Sequence, residues 1–288
     1  MQDSSHSLPT AFGELRPSAL NTTLLSLCHR EHGPWYARLI APLLRRHMVR
    51  HSPLPVDLNL NGLNMRCMFR DNYSEKKFVF TPWRYDRDER RLLREYLGRT
   101  GTLLDIGANV GIYTLTALTQ TGFAGRILAF EPNPQTRLRL QTNISANGCP
   151  PDDCRVQVMP VGIADTHSQF TLQLDATNLG ASSINTHHRA RHVADPTHQV
   201  VIQCKPLLDV LAEENVHRID VLKIDIEGAE DKAMAPYLES APDDLLATLV
   251  IIENSQHLWQ QDVFALLKQR GYQRILHNRM NSVFQRSP

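Results

Sequence analysis

Two short runs carry the side chains best suited to chemistry. The first, Leu103-Leu-Asp105-Ile-Gly107-Ala-Asn109-Val-Gly111, reads as a buried strand that ends in a carboxylate and turns through glycine into a helix. Such a turn puts a ligand at the carboxyl end of a parallel sheet. Gly107 lets the backbone approach that ligand, and Gly111 lets the helix pack closely on the strand. The next strand ends in Glu131, 26 residues beyond Asp105, where a carboxylate can take paired hydrogen bonds from ribose hydroxyls. A dinucleotide site needs a glycine where Asn109 stands, so NAD is disfavoured. An acid for a cationic amine (Asp105), an acid for a ribose (Glu131) and a turn without a pyrophosphate cradle together describe S-adenosylmethionine.

The elements that must position these residues follow from the hydrophobic pattern. From Thr102 onward short apolar runs alternate with helices, the signature of a parallel α/β sheet. Strands are expected at 103–106, 126–130, 156–161, 201–204, 221–226 and 248–253, with a closing pair at 273–277 and 281–285. Helices fall at 112–119, after the Asn133 cap with Pro134 at its first position, at 207–214 and at 261–270. Three parts are expected: a mobile N-terminus (1–20), a helical and β-hairpin extension (21–78) and an S-adenosylmethionine-binding α/β domain (79–288). Within the extension, Asn61-Gly62 between alternating runs marks a hairpin. Trp35, Leu39, Ile40, Leu43, Leu44 and Met48 share a helical face bordered by Arg38, Arg45, Arg46 and Arg50, with Pro42 dividing it. That face can cover a core, pair with a second subunit as a homodimer, or lie on a membrane surface.

Composition narrows the classes. The 288 residues are 42% hydrophobic and 21% charged, ordinary for a folded chain. No apolar run is long enough to span a membrane. The opening MQDSSHSLPT has an acid and no basic segment, so no secretory leader is expected. Five scattered cysteines without a C-x-x-C pair read as reduced thiols, and a cytoplasmic location is expected. The first 100 residues hold 16 Lys/Arg against 10 Asp/Glu, a surplus of +6 offset by −5 in the remainder. There is no concentrated basic patch with interleaved aromatics, so no nucleic-acid partner is expected.

The runs D-I-G-A-N-V-G, A-F-E-P-N-P and L-K-I-D-I-E-G-A-E, in that order, resemble the FkbM-type family of S-adenosylmethionine-dependent methyltransferases. The resemblance covers about residues 80–275 and includes RLRLQTNISANG at 137–148, Pro160–Asp165, Leu208–Leu211, and Trp83 and Asp86 ahead of the first strand. It implies a class I methyltransferase (Rossmann-like) fold, a mostly parallel seven-stranded sheet with helices on both faces and an antiparallel last strand. By the same resemblance Asp105, Gly107, Asn109 and Gly111 form the methionine-side turn and Glu131 holds the ribose. Pro132 and Asn133 shape the pocket, and Asp165 lies near the adenine. Trp83, Asp86, Ser182 and Ser183 are implied on the acceptor side.

In this fold the methyl group points at the ends of the fourth and fifth strands, here Lys223-Ile-Asp225-Ile-Glu227-Gly228 and Ile252-Glu253-Asn254. Lys223, Asp225 and Glu227 share a face if the strand extends that far. Asp225 is the first candidate to meet the acceptor or its proton, followed by Glu253 and Glu227. His187, with His188 and His192, lies in a polar insertion and is a further candidate base or acceptor contact. Asp225, Glu253 and Asn254 also occupy places similar to those with which catechol-type O-methyltransferases hold Mg²⁺, which would lower an acceptor hydroxyl's pKa. Relatives of this type mostly methylate hydroxyls, so the resemblance implies O-methylation of a sugar, glycan precursor or secondary metabolite. The N/D-P-P-Y/F motif of many N-methyltransferases is missing; N-methylation of a small molecule or protein and a non-catalytic binding module are the other readings.

Overall fold

The computed structural model describes residues 11–29, 39–173 and 199–286. Helices α1 (Ala19–His29) and α2 (Ala41–His51) precede a hairpin of β1 (Val56–Leu60) and β2 (Leu63–Cys67). Asn61 (φ 53°) and Gly62 (φ 87°) make its turn, as an Asn-Gly pair should. Pro42 sits in the first turn of α2, where its missing N–H is harmless, so it starts a helix and does not kink one. Trp35 and the rest of segment 30–38 lie outside the described residues. Helix α3 (Tyr73–Phe80) is capped by the Asn72 side chain, which accepts from the Glu75 N–H. The sequence reading had no element there.

Then follow α4 (Arg87–Leu97), β3 (Thr102–Ile106), α5 (Ile112–Leu118), β4 (Arg126–Phe130) and α6 (Pro134–Ala146). The expected third strand divides at Pro160 into β5 (Val156–Met159) and β6 (Val161–Ile163). After β7 (Ser168–Gln173) and β8 (Gln199–Lys205) come α7 (Leu207–Glu213), β9 (Val221–Ile224), α8 (Glu230–Ser240), β10 (Leu249–Glu253), α9 (Val263–Gln269), β11 (Tyr272–His277) and β12 (Asn281–Arg286).

The main sheet has seven strands in the order β11-β12-β10-β9-β3-β4-β5. Strands β5, β4, β3, β9 and β10 pair in parallel, whereas β12 runs antiparallel between β10 and β11. This is the expected class I methyltransferase arrangement. Strand order reverses between β3 and β9, where the chain leaves β3 in one direction across the sheet and returns to β9 on the other side. A crevice opens at such a reversal, beyond the carboxyl ends of the strands. A second sheet, β6-β8-β7, stands beside it. No helix among the described residues is long and apolar enough to cross a membrane.

Two cores sandwich the main sheet, because its strands are apolar on both faces. One is built from Leu104, Leu128, Leu222, Val250, Met234 and Leu267. The other joins Leu103, Ile127, Val221 and Ile251 to residues of the extension: Leu25, Met48, Leu60, Met65 and Phe78. The extension and the α/β domain therefore share one hydrophobic core. Buried Asn143 stitches them together, accepting from the Arg66 N–H (2.8 Å) and donating to the Val110 carbonyl (2.9 Å). Asn143→Ala should strand both backbone groups and cost about 2–4 kcal/mol. A urea unfolding curve checks this, and a loss below ~1 kcal/mol would deny the stitch its role.

Candidate functional site

A cleft lies at the switch point, with Gly107, Asn109, Tyr113, Glu131, Lys223 and Asp225 among its walls. The turn after β3 takes left-handed backbone at Gly107 (φ 76°), Asn109 (φ 52°) and Gly111 (φ 99°). Gly107 is required twice over. Its φ suits glycine, and a Cβ there would stand 1.9 Å from the Asp225 carbonyl oxygen. Asn109 tolerates left-handed backbone as asparagine does, and the Asn72 amide donates to its side-chain oxygen (2.7 Å). The extension thus braces the turn, through a residue the sequence reading did not single out.

Asp105 is wholly buried behind the turn, outside the cavity wall. Its Oδ2 accepts from the Thr114 N–H (3.0 Å) and hydroxyl (2.7 Å), so it ties strand β3 to the first turns of α5. Its Oδ1 has no hydrogen-bond partner and faces the Lys223 ammonium at 3.7 Å.

Glu131 does line the cavity. Its Oε1 accepts from the Asn133 N–H (2.9 Å) and its Oε2 from the Asn109 N–H (3.0 Å), which fixes the plane of the carboxylate. Burial lifts its pKa to about 7, against the pull of those two N–H groups and of Lys223 and Arg137. Pro132 and Asn133 border the cavity, and Asn133 also caps α6. Ile112, Phe130, Val161, Ile163 and Ile202 give it an apolar side that suits a flat heterocycle. Asp165 is not on that wall; it is half-exposed, 3.9 Å from Lys232.

At the other end, strand β9 stops at Ile224, earlier than expected, so Asp225 and Glu227 belong to a turn. Asp225 is 37% exposed, with Oδ2 3.8 Å from Lys223 Nζ. Glu227 follows in left-handed backbone (φ 57°) and also lines the cavity. Glu230 organises the turn: its Oε1 accepts from the N–H groups of Ile226 (2.9 Å) and Gly228 (3.2 Å), and its Oε2 from Trp259 Nε1 (2.8 Å). A glutamate opening a helix after a glycine turn is the sequence signal that could have marked it. Glu253 Oε2 accepts from the Ser255 hydroxyl (2.8 Å). Burial, with Asp225, Glu227 and Glu230 nearby, pushes the Glu253 carboxyl well above the usual carboxylate range.

The expected magnesium trio does not assemble. Asn254 turns to the closing hairpin, donating to the Asn278 carbonyl (2.7 Å) and accepting from the Ser282 hydroxyl (2.8 Å). Asp225, Glu253 and Glu230 come together in its place, with Glu230 Oε1 accepting from two backbone N–H groups and Oε2 from the Trp259 indole. With Asn254 engaged by the closing hairpin, the ligand set expected for Mg²⁺ is not the one the fold brings together.

Of the acceptor-side residues, Trp83 packs edge-on against His29 (centroids 6.3 Å apart) and is not on the cavity wall. Asp86, in left-handed backbone, accepts from the Tyr113 hydroxyl (3.0 Å). Burial lifts its pKa to about 6, helped by Glu89 and Asp225. Tyr113, Tyr85 and Ser74 line the cavity and were not anticipated. Ser182, Ser183, His187, His188 and His192 lie outside the described residues.

Residues 105–274 match the family model described as the methyltransferase FkbM domain. A "Methyltransferase 1" from Beauveria bassiana is 30% identical over 137 residues, 44% of this chain and 55% of that protein, so the match spans only about half of the relative. Among solved structures, a methyltransferase FkbM from Methylobacillus flagellatus KT aligns at 13% identity and a TM-score of 0.41, covering 87% of this chain and 60% of that one. An S-adenosylmethionine-dependent O-methyltransferase from Thermotoga maritima aligns at 10% identity and a TM-score of 0.40, covering 71% and 66%.

The geometry of the turn makes a direct prediction. Gly107→Ala should destabilise the chain by at least ~3 kcal/mol, because both backbone conformation and space oppose the methyl. Chemical denaturation reads this, and a native-like midpoint would show that the two strand ends can separate without penalty.

Proposed function

Because the chain belongs to the FkbM methyltransferase family, we propose that it uses S-adenosylmethionine to methylate a hydroxyl on a sugar, glycan precursor or secondary metabolite. The observation that carries the cofactor reading is Glu131, held in the cavity wall with each oxygen already oriented by one backbone N–H. Each oxygen keeps a lone pair for one of two vicinal ribose hydroxyls. Gly107 and Asn109 in the cavity wall suit the methionine end, and Asp105 supports that turn from behind through Thr114. The apolar wall fits the adenine. S-Adenosylmethionine, when bound, supplies a methyl already activated on a sulfonium, which leaves positioning and one proton to the protein.

The acceptor end supports hydroxyl chemistry. Asp225 is open to the cavity mouth, whereas Glu253 is buried among Asp225, Glu227 and Glu230, which push its carboxyl above the usual carboxylate range. Two carboxyls in unlike environments divide roles: Asp225 takes the proton of the acceptor hydroxyl, and protonated Glu253 donates a hydrogen bond that orients neighbouring oxygen. Lys223 Nζ stands 3.8 Å from Asp225 Oδ2. A chain confined to the interior of the cell is the reading that its reduced thiols support.

Calorimetric titration with S-adenosylhomocysteine tests the cofactor site. One-to-one binding is expected, weakened at least about tenfold in Glu131→Ala, which loses two charge-assisted hydrogen bonds, and weakened in Asp105→Ala as well. No heat and no thermal shift with the native chain would sink the reading. The titration should depend on pH. Glu131 binds ribose in its charged form, and its folded pKa of about 7 lies above the ordinary 4.5. Its burial therefore favours the empty fold most below about 4.5, a contribution lost as pH rises through 7, while ligand binding releases a proton. Affinity should rise between pH 6 and 8, and Glu131→Gln should flatten the profile. In a screen over sugars and metabolites, turnover should survive EDTA; abolition by chelation, with rescue by Mg²⁺, would overturn the metal-free acceptor site.

A further inference from the structure

Lys223 is the one basic residue among the described residues lining the cavity, whose acids are Glu131, Asp225 and Glu227. Its side chain is 7% exposed. The ammonium donates to the Gly107 carbonyl (3.0 Å), lies 3.7 Å from Asp105 Oδ1 and 3.8 Å from Asp225 Oδ2, and stands 5.3 Å from the Tyr113 ring centre. Burial opposes its charge, yet Asp225, Asp105, Asp86 and Glu253 together more than offset that and keep it protonated. A single buried cation thus sits where the methionine-side turn meets the acceptor-side acid.

The proposed cofactor and its product differ by one methyl and one positive charge. A ligand whose ribose is held by Glu131 and whose amino-acid end reaches the Gly107 turn must pass its sulfur between them, near the atom to which Lys223 donates. Walls carrying acids alone would hold the sulfonium tightly before transfer and lose that attraction as the charge leaves. Attraction confined to the ground state slows the step it precedes.

We propose that Lys223 is a positioning residue that sets the cavity's charge balance, narrowing its preference for S-adenosylmethionine over S-adenosylhomocysteine. This rests on the S-adenosylmethionine reading above. In the transfer, the C–S bond breaks with its electron pair left on sulfur, an O–C bond forms, and the hydroxyl proton passes to Asp225. The sulfonium charge disappears beside Lys223, so the repulsion between two cations is relieved in the forward direction.

The test is calorimetric titration of both ligands into the native chain and into Lys223→Met, Lys223→Arg and Asp225→Asn. Lys223→Met should raise the preference for S-adenosylmethionine over S-adenosylhomocysteine by about tenfold, the scale of one unit charge several ångströms away in a partly screened site. Lys223→Arg should keep the native ratio within about twofold, since the charge is retained. Asp225→Asn, at a part-exposed position, should shift the ratio several-fold towards S-adenosylhomocysteine. A merely structural lysine would weaken both ligands by the same factor, and an unchanged ratio in Lys223→Met overturns the proposal. If that variant does not fold, an unchanged ratio in Asp225→Asn overturns it instead. Failure of the native chain to bind either ligand sinks the cofactor reading and this inference with it; binding with an unmoved ratio sinks this inference alone.

Discussion

The approach of two strand ends governs the site. The turn after β3 and the turn after β9 come so close that the Asp225 carbonyl fills the space a side chain at residue 107 would need. Lys223 closes the junction by donating to the Gly107 carbonyl. Three consequences follow from this contact. The turn after β3 takes left-handed backbone; Asp225 is delivered to the cavity's edge; and the carboxylates on either side share one ammonium. A parallel sheet creates such a junction wherever strand order reverses, but the missing Cβ is what lets these two turns touch.

The extension takes part in that arrangement. Asn72 caps α3 with its side-chain oxygen and uses its amide nitrogen to hold Asn109, so one residue orders a helix and the turn after β3 together. Arg139 adds a second tie, pairing with Asp71 (3.0 Å) and with buried Glu75 (2.6 Å). The pKa of Glu75 rises to about 7 with burial, although Arg139 and the Met68 N–H pull it down. Apolar packing continues across the boundary through Met48, Leu60 and Phe78. A change in the extension can therefore reach the turn after β3 through Asn72 and the cavity wall through Ser74.

What was legible in the sequence follows physical locality. Strands and helices with strong periodicity, the Asn61-Gly62 hairpin and the Asn133 cap depend on neighbours in the chain, and they emerge where expected. Gly107 and Glu131 are readable because a strand-end glycine turn and a strand-end acid have few alternative uses. Asp105 is harder, since spacing reports which strand end it occupies and not that its side chain points behind the turn to Thr114. Asn72, Tyr113 and Tyr85 reach the site through partners far along the chain, which local pattern does not mark, whereas Glu230 carries a local signal in the glycine turn before its helix. Asn254 shows the reverse case: its order in the sequence suggested a metal ligand, but pairing of β10 with β12 places it beside Ser282 and Asn278.

The small sheet has a further consequence. Strands β7 and β8 pair antiparallel from Ser168↔Cys204 out to Gln173↔Gln199, so the described residues on either side of 174–198 face each other. Joining ends that are held together makes the intervening length thermodynamically cheap to vary, about 0.6 kcal/mol for each doubling. Ile202, on β8, meanwhile belongs to the cavity wall. Evolution can thus rewrite, lengthen or exchange this stretch as an interchangeable cassette beside an unchanged cofactor site, with the strand ladder serving as its socket.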